Sequence, residues 1–182
     1  MSLAEALAKH AGGHQLGEGL WRLFSEAFPA GGAAIWNSTV VWKQAWGLSV
    51  GAFYAFGEDV FGNQLVMAKQ SEAAMIWNHE SGELLDLLLP PLELLETCLD
   101  SGLDWIDFYT APMIEVGRVQ RTDVPDDCHL HWTTPLILGG TVSPSNTAVL
   151  DRTQHLLGHA DLWRQVAGLA PGTIVIPKPT LS

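Results

Sequence analysis

Positive charge is scarce in this sequence: nine lysines and arginines stand against 20 acids, giving a formal net charge of −11. The nearest approach to a basic cluster is Arg118 with Arg121. A nucleic-acid surface needs grouped Lys and Arg to displace counterions from phosphates, so the composition argues against nucleic acid as a partner. An acidic chain attracts basic partners and repels anionic membranes. Long apolar runs are missing as well, and those present are too short to span a bilayer. The segment from Met1 to His10 lacks the basic start and continuous apolar stretch of a secretory signal. Cysteine is nearly absent: Cys98 and Cys128 make no disulfide framework and read as reduced thiols. A cytoplasmic location is expected.

What is present fits one globular domain. A chain of 182 residues buries roughly 70 % of the surface its unfolded form exposes and needs no staple. It is 47 % hydrophobic and 16 % charged, which excludes a disordered chain. Eight tryptophans belong mostly in a core or an interface.

Periodicity and turn chemistry lay out the elements. Ser2 with Glu5 forms a capping box for a short helix ending at Gly12 and Gly13. Leu20, Leu23, Phe24, Ala27 and Phe28 make a helical stripe stopped by Pro29. From residue 33 strand formers take over: Ile35, Thr39 to Trp42, then Val50 to Phe56. Turns fall at Gly57 to Asp59, Phe61 to Asn63, and Asn78 to Gly82, so residues 33–89 read as an antiparallel meander of about four or five strands. Pro90 and Pro91 open a helix with Leu92, Leu95 and Leu99 on its buried face, and Asp104 caps a further turn carrying Trp105, Phe108 and Tyr109. Residues 115–127 read as irregular, and Leu130 to Leu138 as a buried strand. Asp151 with Gln154 starts a last helix that Gly168 ends, and Thr173 to Ile176 reads as a short strand. The expectation is a single α+β domain, a central antiparallel sheet with helices at both ends. Its division is 1–32 as an N-terminal helical extension, 33–170 as the α+β body and 171–182 as a tail.

Candidate chemistry is thin. His129 and His131 share one face of a strand, and His155 and His159 sit four apart on a helix, so the four could make a metal-dependent hydrolase site. Neither a His-Glu-x-x-His motif nor a carboxylate at a zinc-enzyme position supports it. His79-Glu-Ser81 and His131-Trp-Thr133 fit the two-histidine phosphoesterase pattern, but His79 falls in a turn and an acidic chain repels a phosphodiester. There is no Gly-x-Ser-x-Gly elbow, and Leu138-Gly-Gly140 lacks phosphate-loop spacing. Glu58 and Asp59, adjacent and bounded by glycines, read as a solvated turn rather than a catalytic pair. No catalytic residue, metal or cofactor is therefore assigned. Glu93, Glu96, Asp100, Asp104 and Asp107 recur at three- and four-residue steps opposite the leucines. Such a row reads first as the wet side of a helix, and its functional reading is a docking strip for a basic partner.

The stretch from Phe53 to Leu65, with Ala74 to Gly82 and the leucine-rich helix after it, resembles the strand–turn–strand signature of the SUKH superfamily. That group holds fungal cell-wall-synthesis regulators and bacterial immunity proteins. The stretch from Asp127 to Gly140, with Asn146, Val149, His155, Leu156 and Leu162 to Val166, is similar to the C-terminal domain of type VI secretion immunity proteins. The resemblance spans about residues 50–167, and Pro135-Leu-Ile-Leu-Gly-Gly140 is its most specific part. It implies a non-enzymatic immunity protein that binds a cognate, basic secreted toxin, often a nuclease. It also implies scaffold roles for Cys128, His129 and His155, and it carries over no catalytic or contact residue. A regulatory protein-binding scaffold without a toxin, like the fungal relatives, is the alternative of the same class.

Overall fold

The computed structural model describes residues 15–16, 19–26, 28–29, 32–48, 53–68, 73–101, 108–170 and 172–176. The chain is an α+β domain built on a central antiparallel sheet, as its sequence predicts. Six strands follow one another across that sheet in chain order: β1 (Gln15–Leu16), β2 (Trp21–Leu23), β3 (Phe53–Asp59), β4 (Gln64–Ala68), β5 (Ala74–Trp77) and β6 (Leu84–Asp86). Each neighbouring pair is antiparallel, so β1 and β6 are the two edges. A separate hairpin pairs β7 (Cys128–Trp132) with β8 (Thr147–Asp151). Four α-helices lie among the described residues: α1 (Gly32–Trp36), α2 (Pro91–Ser101), α3 (Ala111–Gln120) and α4 (Arg152–Val166).

The middle strands β3 to β5 carry buried residues on both faces, and strand alternation divides the core accordingly. Along β5, Ala74 and Ile76 join one hydrophobic cluster, whereas Met75 and Trp77 join the other. On β4, Leu65 and Val66 part in the same way. The first cluster gathers Trp21, Phe56, Leu94 of α2, Ile114 and Val116 of α3, and Leu130 and Trp132 of β7. The second gathers Trp36 of α1, Trp42, Phe53 and Leu156 of α4. Its centre is aromatic, with the Trp42 and Trp77 rings 4.8 Å apart. Fully burying a side chain such as Leu65 or Ile76 contributes about 1.5–3 kcal/mol, so both faces hold the sheet.

Several elements differ from their sequence expectation. The stripe from Leu20 to Phe28 is not a helix, because Trp21–Leu23 pairs with Gly57–Asp59 of β3 as strand β2. Its one polar side chain, Arg22, is buried and donates to the carbonyls of Val124, Pro125 and Asp126 far along the chain, so β2 shows no wet side. Within 1–32, Gln15–Leu16 and Trp21–Leu23 thus join the sheet, where a helical extension is expected; the capping box at Ser2 and Glu5 lies outside the described residues. The β-branched run at 35–42 is helical, as α1 followed by a π-type turn over Thr39–Lys43. There Trp36 and Trp42 pack into the aromatic core, and tertiary burial overrides strand propensity. Residues 115–120 belong to α3 rather than to an irregular segment. The strand expected over 130–138 ends at Trp132, and Leu136–Leu138 forms a 3-10 turn after Pro135. Strand β8 carries no clear sequence signal, and residues 173–176 are not a strand. The meander from β3 to β6 and the Asp151 cap of α4, which accepts a hydrogen bond from the Gln154 N–H, match expectation.

Candidate functional site

Strand β3 ends in two acids that the sequence reads as a solvated turn. The structure corrects this: Glu58 and Asp59 are both buried, 0 % and 1 % exposed. Being consecutive on a strand, they point to opposite faces. Glu58 meets Arg152 at the start of α4, with Nη2 to Oε1 at 2.8 Å, and His129 of β7, with Nε2 to Oε2 at 3.1 Å. Burial alone would push its carboxyl up, but His129 and Arg152 hold it below the usual carboxylate range. Arg152 also donates to the Asp126 carbonyl and lies over the Phe28 ring.

Asp59 works differently. It accepts hydrogen bonds from the backbone N–H of Phe61 and of Asn63, from Asn63 Nδ2 at 2.7 Å and from the Tyr109 hydroxyl at 2.6 Å. Burial raises its carboxyl to about 6, outweighing the Tyr109 and Asn63 hydrogen bonds that favour the charged form. The tight turn that brings Asn63 back onto Asp59 passes through Gly62 at φ +97°. A Cβ there would stand 2.8 Å from His129 Nδ1 and 3.1 Å from His155 Nδ1, so glycine is what lets two imidazoles pack against the turn.

Five of the chain's seven histidines meet beside that turn. His155 and His159 are one helical turn apart on α4, His129 and His131 share a face of β7, and His79 comes from the turn after β5. The rings of His79, His155 and His159 form a nearly equilateral triangle, with centroid separations of 4.7, 4.6 and 4.8 Å. All three are buried. His131 is half-buried and borders the triangle through His155, 5.5 Å away. Burial is the main cause that holds all five imidazoles below their usual range, His159 at about 4. They are neutral at pH 7.

The four-histidine set expected from sequence is thus regrouped. His155 and His159 stay together, His79 joins them, and His129 is engaged with Glu58. The sequence pairs His79 with His131 in a His-x-Ser/Thr reading and not with His155 and His159, because a histidine in a turn has no periodicity that points it at a helix far along the chain. His79, His155 and His159 are buried, and the adjacent Glu58 carboxylate is held by Arg152 and His129. The two His-x-Ser/Thr pairs do not line one groove: Ser81 is paired with Glu83 on its own turn, and Thr133 with Asn146.

The surface carries the other candidate. Edge strand β6 is exposed at all three positions, and Leu84 and Leu85 are 48 % and 40 % exposed. Leu88 follows at 82 %, held at φ +58°, a left-handed backbone that a leucine rarely adopts. Glu83 and Asp86 flank these leucines, and Glu93 and Glu96 stand exposed on the adjoining α2. The predicted acidic row is therefore placed for Glu93 and Glu96. The Asp100 side chain, Asp104 and Asp107 lie outside the described residues. Sequence reading missed the leucines because an apolar run reads as core.

Among the described residues, no helix is long and apolar enough to cross a membrane. A comparison of the chain with family models finds no match, and a search of curated proteins finds none.

Proposed function

We propose that this chain is a non-enzymatic binding protein that neutralises a basic polypeptide toxin by stoichiometric association, the immunity role that its resemblance to the SUKH and type VI secretion groups implies. The observation that carries the reading is the face made by β6 and the start of α2. Leu84 and Leu85 stand exposed on opposite sides of edge strand β6, Leu88 follows it, and exposed Glu83, Asp86, Glu93 and Glu96 lie close to them in the chain; among the described residues no strand pairs with the outer side of β6. An apolar centre with a charged rim is the anatomy of a recognition surface. A bare edge strand left without a partner is an aggregation liability that stable proteins blunt or cover. The rim is acidic and the chain carries −11, so the complementary partner is basic, and charge steering speeds its approach. A nuclease, positively charged where it grips nucleic acid, has that chemistry.

The test takes three steps. The immobilised chain captures its partner from the native lysate, the captured polypeptide is expressed alone in a sensitive host, and this chain is then co-expressed. The reading expects a one-to-one complex with a basic polypeptide that arrests growth alone and is silenced by this chain. A captured partner with no toxicity would replace immunity with the regulatory scaffold. Turnover of the partner or its substrate by this chain alone would overturn the non-enzymatic reading.

A further inference from the structure

The histidine triangle has features that packing alone does not require. His79 Nε2 and His155 Nε2 are buried and have no hydrogen-bond partner among the described residues. A buried polar atom without a partner is a costly feature that native structures seldom keep without a reason. Each of these two rings is also oriented from behind. His79 Nδ1 lies 2.9 Å from Asn63 Oδ1, and Asn63 cannot flip, because its Nδ2 donates to Asp59. Asn63 Oδ1 is therefore an acceptor, His79 carries its proton on Nδ1, and its Nε2 lone pair is bare. Behind the second ring stands His129. Its Nε2 lies 3.1 Å from Glu58 Oε2 without the alignment of a hydrogen bond, and its Nδ1 lies 3.2 Å from His155 Nδ1. That contact occupies Nδ1 of His155, and its Nε2 is left without a partner among the described residues.

Asp59 thus fixes the tautomer of His79 through Asn63, and His79 and His155 each keep a buried nitrogen without a partner among the described residues. Carboxylate-backed histidines of this kind are what metal sites use to orient their ligands and raise their basicity. The third ring, His159, is set by helix geometry one turn from His155.

We propose that His79, His155 and His159 bind one divalent transition-metal ion of the zinc class, with Asn63 and His129 as positioning residues. Three neutral imidazoles select zinc and its neighbours over magnesium or calcium, which take oxygen ligands. One ring nitrogen from each histidine already lies within 4.8 Å of the others. Tetrahedral zinc–imidazole bonds of about 2.0–2.1 Å place such nitrogens about 3.4 Å apart, and small ring rotations cover the difference. The three ligands arise from the β5–β6 turn and from α4, so the ion ties the sheet to the last helix. Its closed surroundings give it a structural role, distinct from partner binding and independent of it.

The experiment is a titration of the full chain, stripped with a chelator, by Zn2+ alone, read by calorimetry, with Co2+ absorption reporting geometry. One equivalent of Zn2+ should bind, Co2+ should give the intense visible bands of a tetrahedral nitrogen site, and the melting temperature should rise with either ion. His159→Gln, the least buried ligand change, should weaken Zn2+ at least about 100-fold. Asn63→Ala should weaken it by about 10–100-fold although Asn63 does not touch the ion. Circular dichroism of each metal-free variant checks its fold. No saturable binding by the wild-type chain would overturn the site whatever the variants do, and so would a folded His159→Gln protein that titrates like wild type. Equal binding of Mg2+ would overturn the assigned class.

Discussion

The interior beside β3 and the edge at β6 invert the usual distribution of residues in opposite ways. At the first, two carboxylates, an arginine and several histidines are buried; at the second, Leu84 and Leu85 on edge strand β6 and Leu88 just after it stand exposed. Buried polar groups and exposed apolar patches are the informative exceptions to hydrophobic sorting. The interior exception is compensated, with Glu58 and Asp59 each surrounded by partners. The edge exception is not, and Leu88 adds a left-handed backbone to it. A compensated exception points inward, to rigidity and coordination. An uncompensated one points outward, to something that covers it.

The contrast breaks first at Glu58. Glu58→Gln leaves Arg152 buried without its counter-charge, and urea unfolding should show a loss of about 3–5 kcal/mol. At Asp59 the effect depends on pH. Its folded pKa is raised from 3.8 to about 6, so its contribution to stability is fully present below 3.8 and is lost as pH rises through 6. The difference in unfolding free energy between wild type and Asp59→Asn should therefore change by about 3 kcal/mol between pH 3.8 and 6, and stay flat above it. A constant difference across that window would mean the carboxylate is ionised throughout.

Changes at the edge should show the reverse profile, silent in stability and costly in binding. Leu88→Asn keeps a residue that tolerates the left-handed backbone, so stability should stay within about 0.5 kcal/mol. Binding of the captured partner should weaken by about 30-fold, as at an interface hot spot. The smallest effects belong to the rim. Glu93→Lys and Glu96→Lys should each cost under about 1 kcal/mol of affinity. They should act mainly on the association rate and flatten its dependence on salt. Unchanged rates and salt dependence would remove the acidic rim from the interface.

The sequence was most legible where structure is local. From β3 to β6, short strands are separated by turns with their own chemistry, at Phe61 to Asn63 and Asn78 to Gly82, and the Asp151 cap announces α4. It was least legible where partners far along the chain decide. The stripe from Leu20 to Phe28 has helical spacing, but β3 claims its first half. The valines at 40 and 41 favour a strand, yet the tryptophans around them are drawn into a helical turn. Helix α3 hides behind Pro112 and Gly117. Glu58 looks wet because its partners Arg152 and His129 lie over 70 residues away, and Asp59 because it is satisfied by the turn that folds Asn63 onto it and by Tyr109, 50 residues on. His79 joins its cluster by the same long-range folding. Acidic Glu93 and Glu96 were readable as surface, while the leucines beside them were not.

Hydrogen–deuterium exchange, compared between the free chain and its complex with the captured partner, tests the central claim most directly. Protection concentrated at residues 84–88 and the first turn of α2 is the predicted result. Amides at 84–88 that exchange equally in both states, with protection elsewhere, would contradict it.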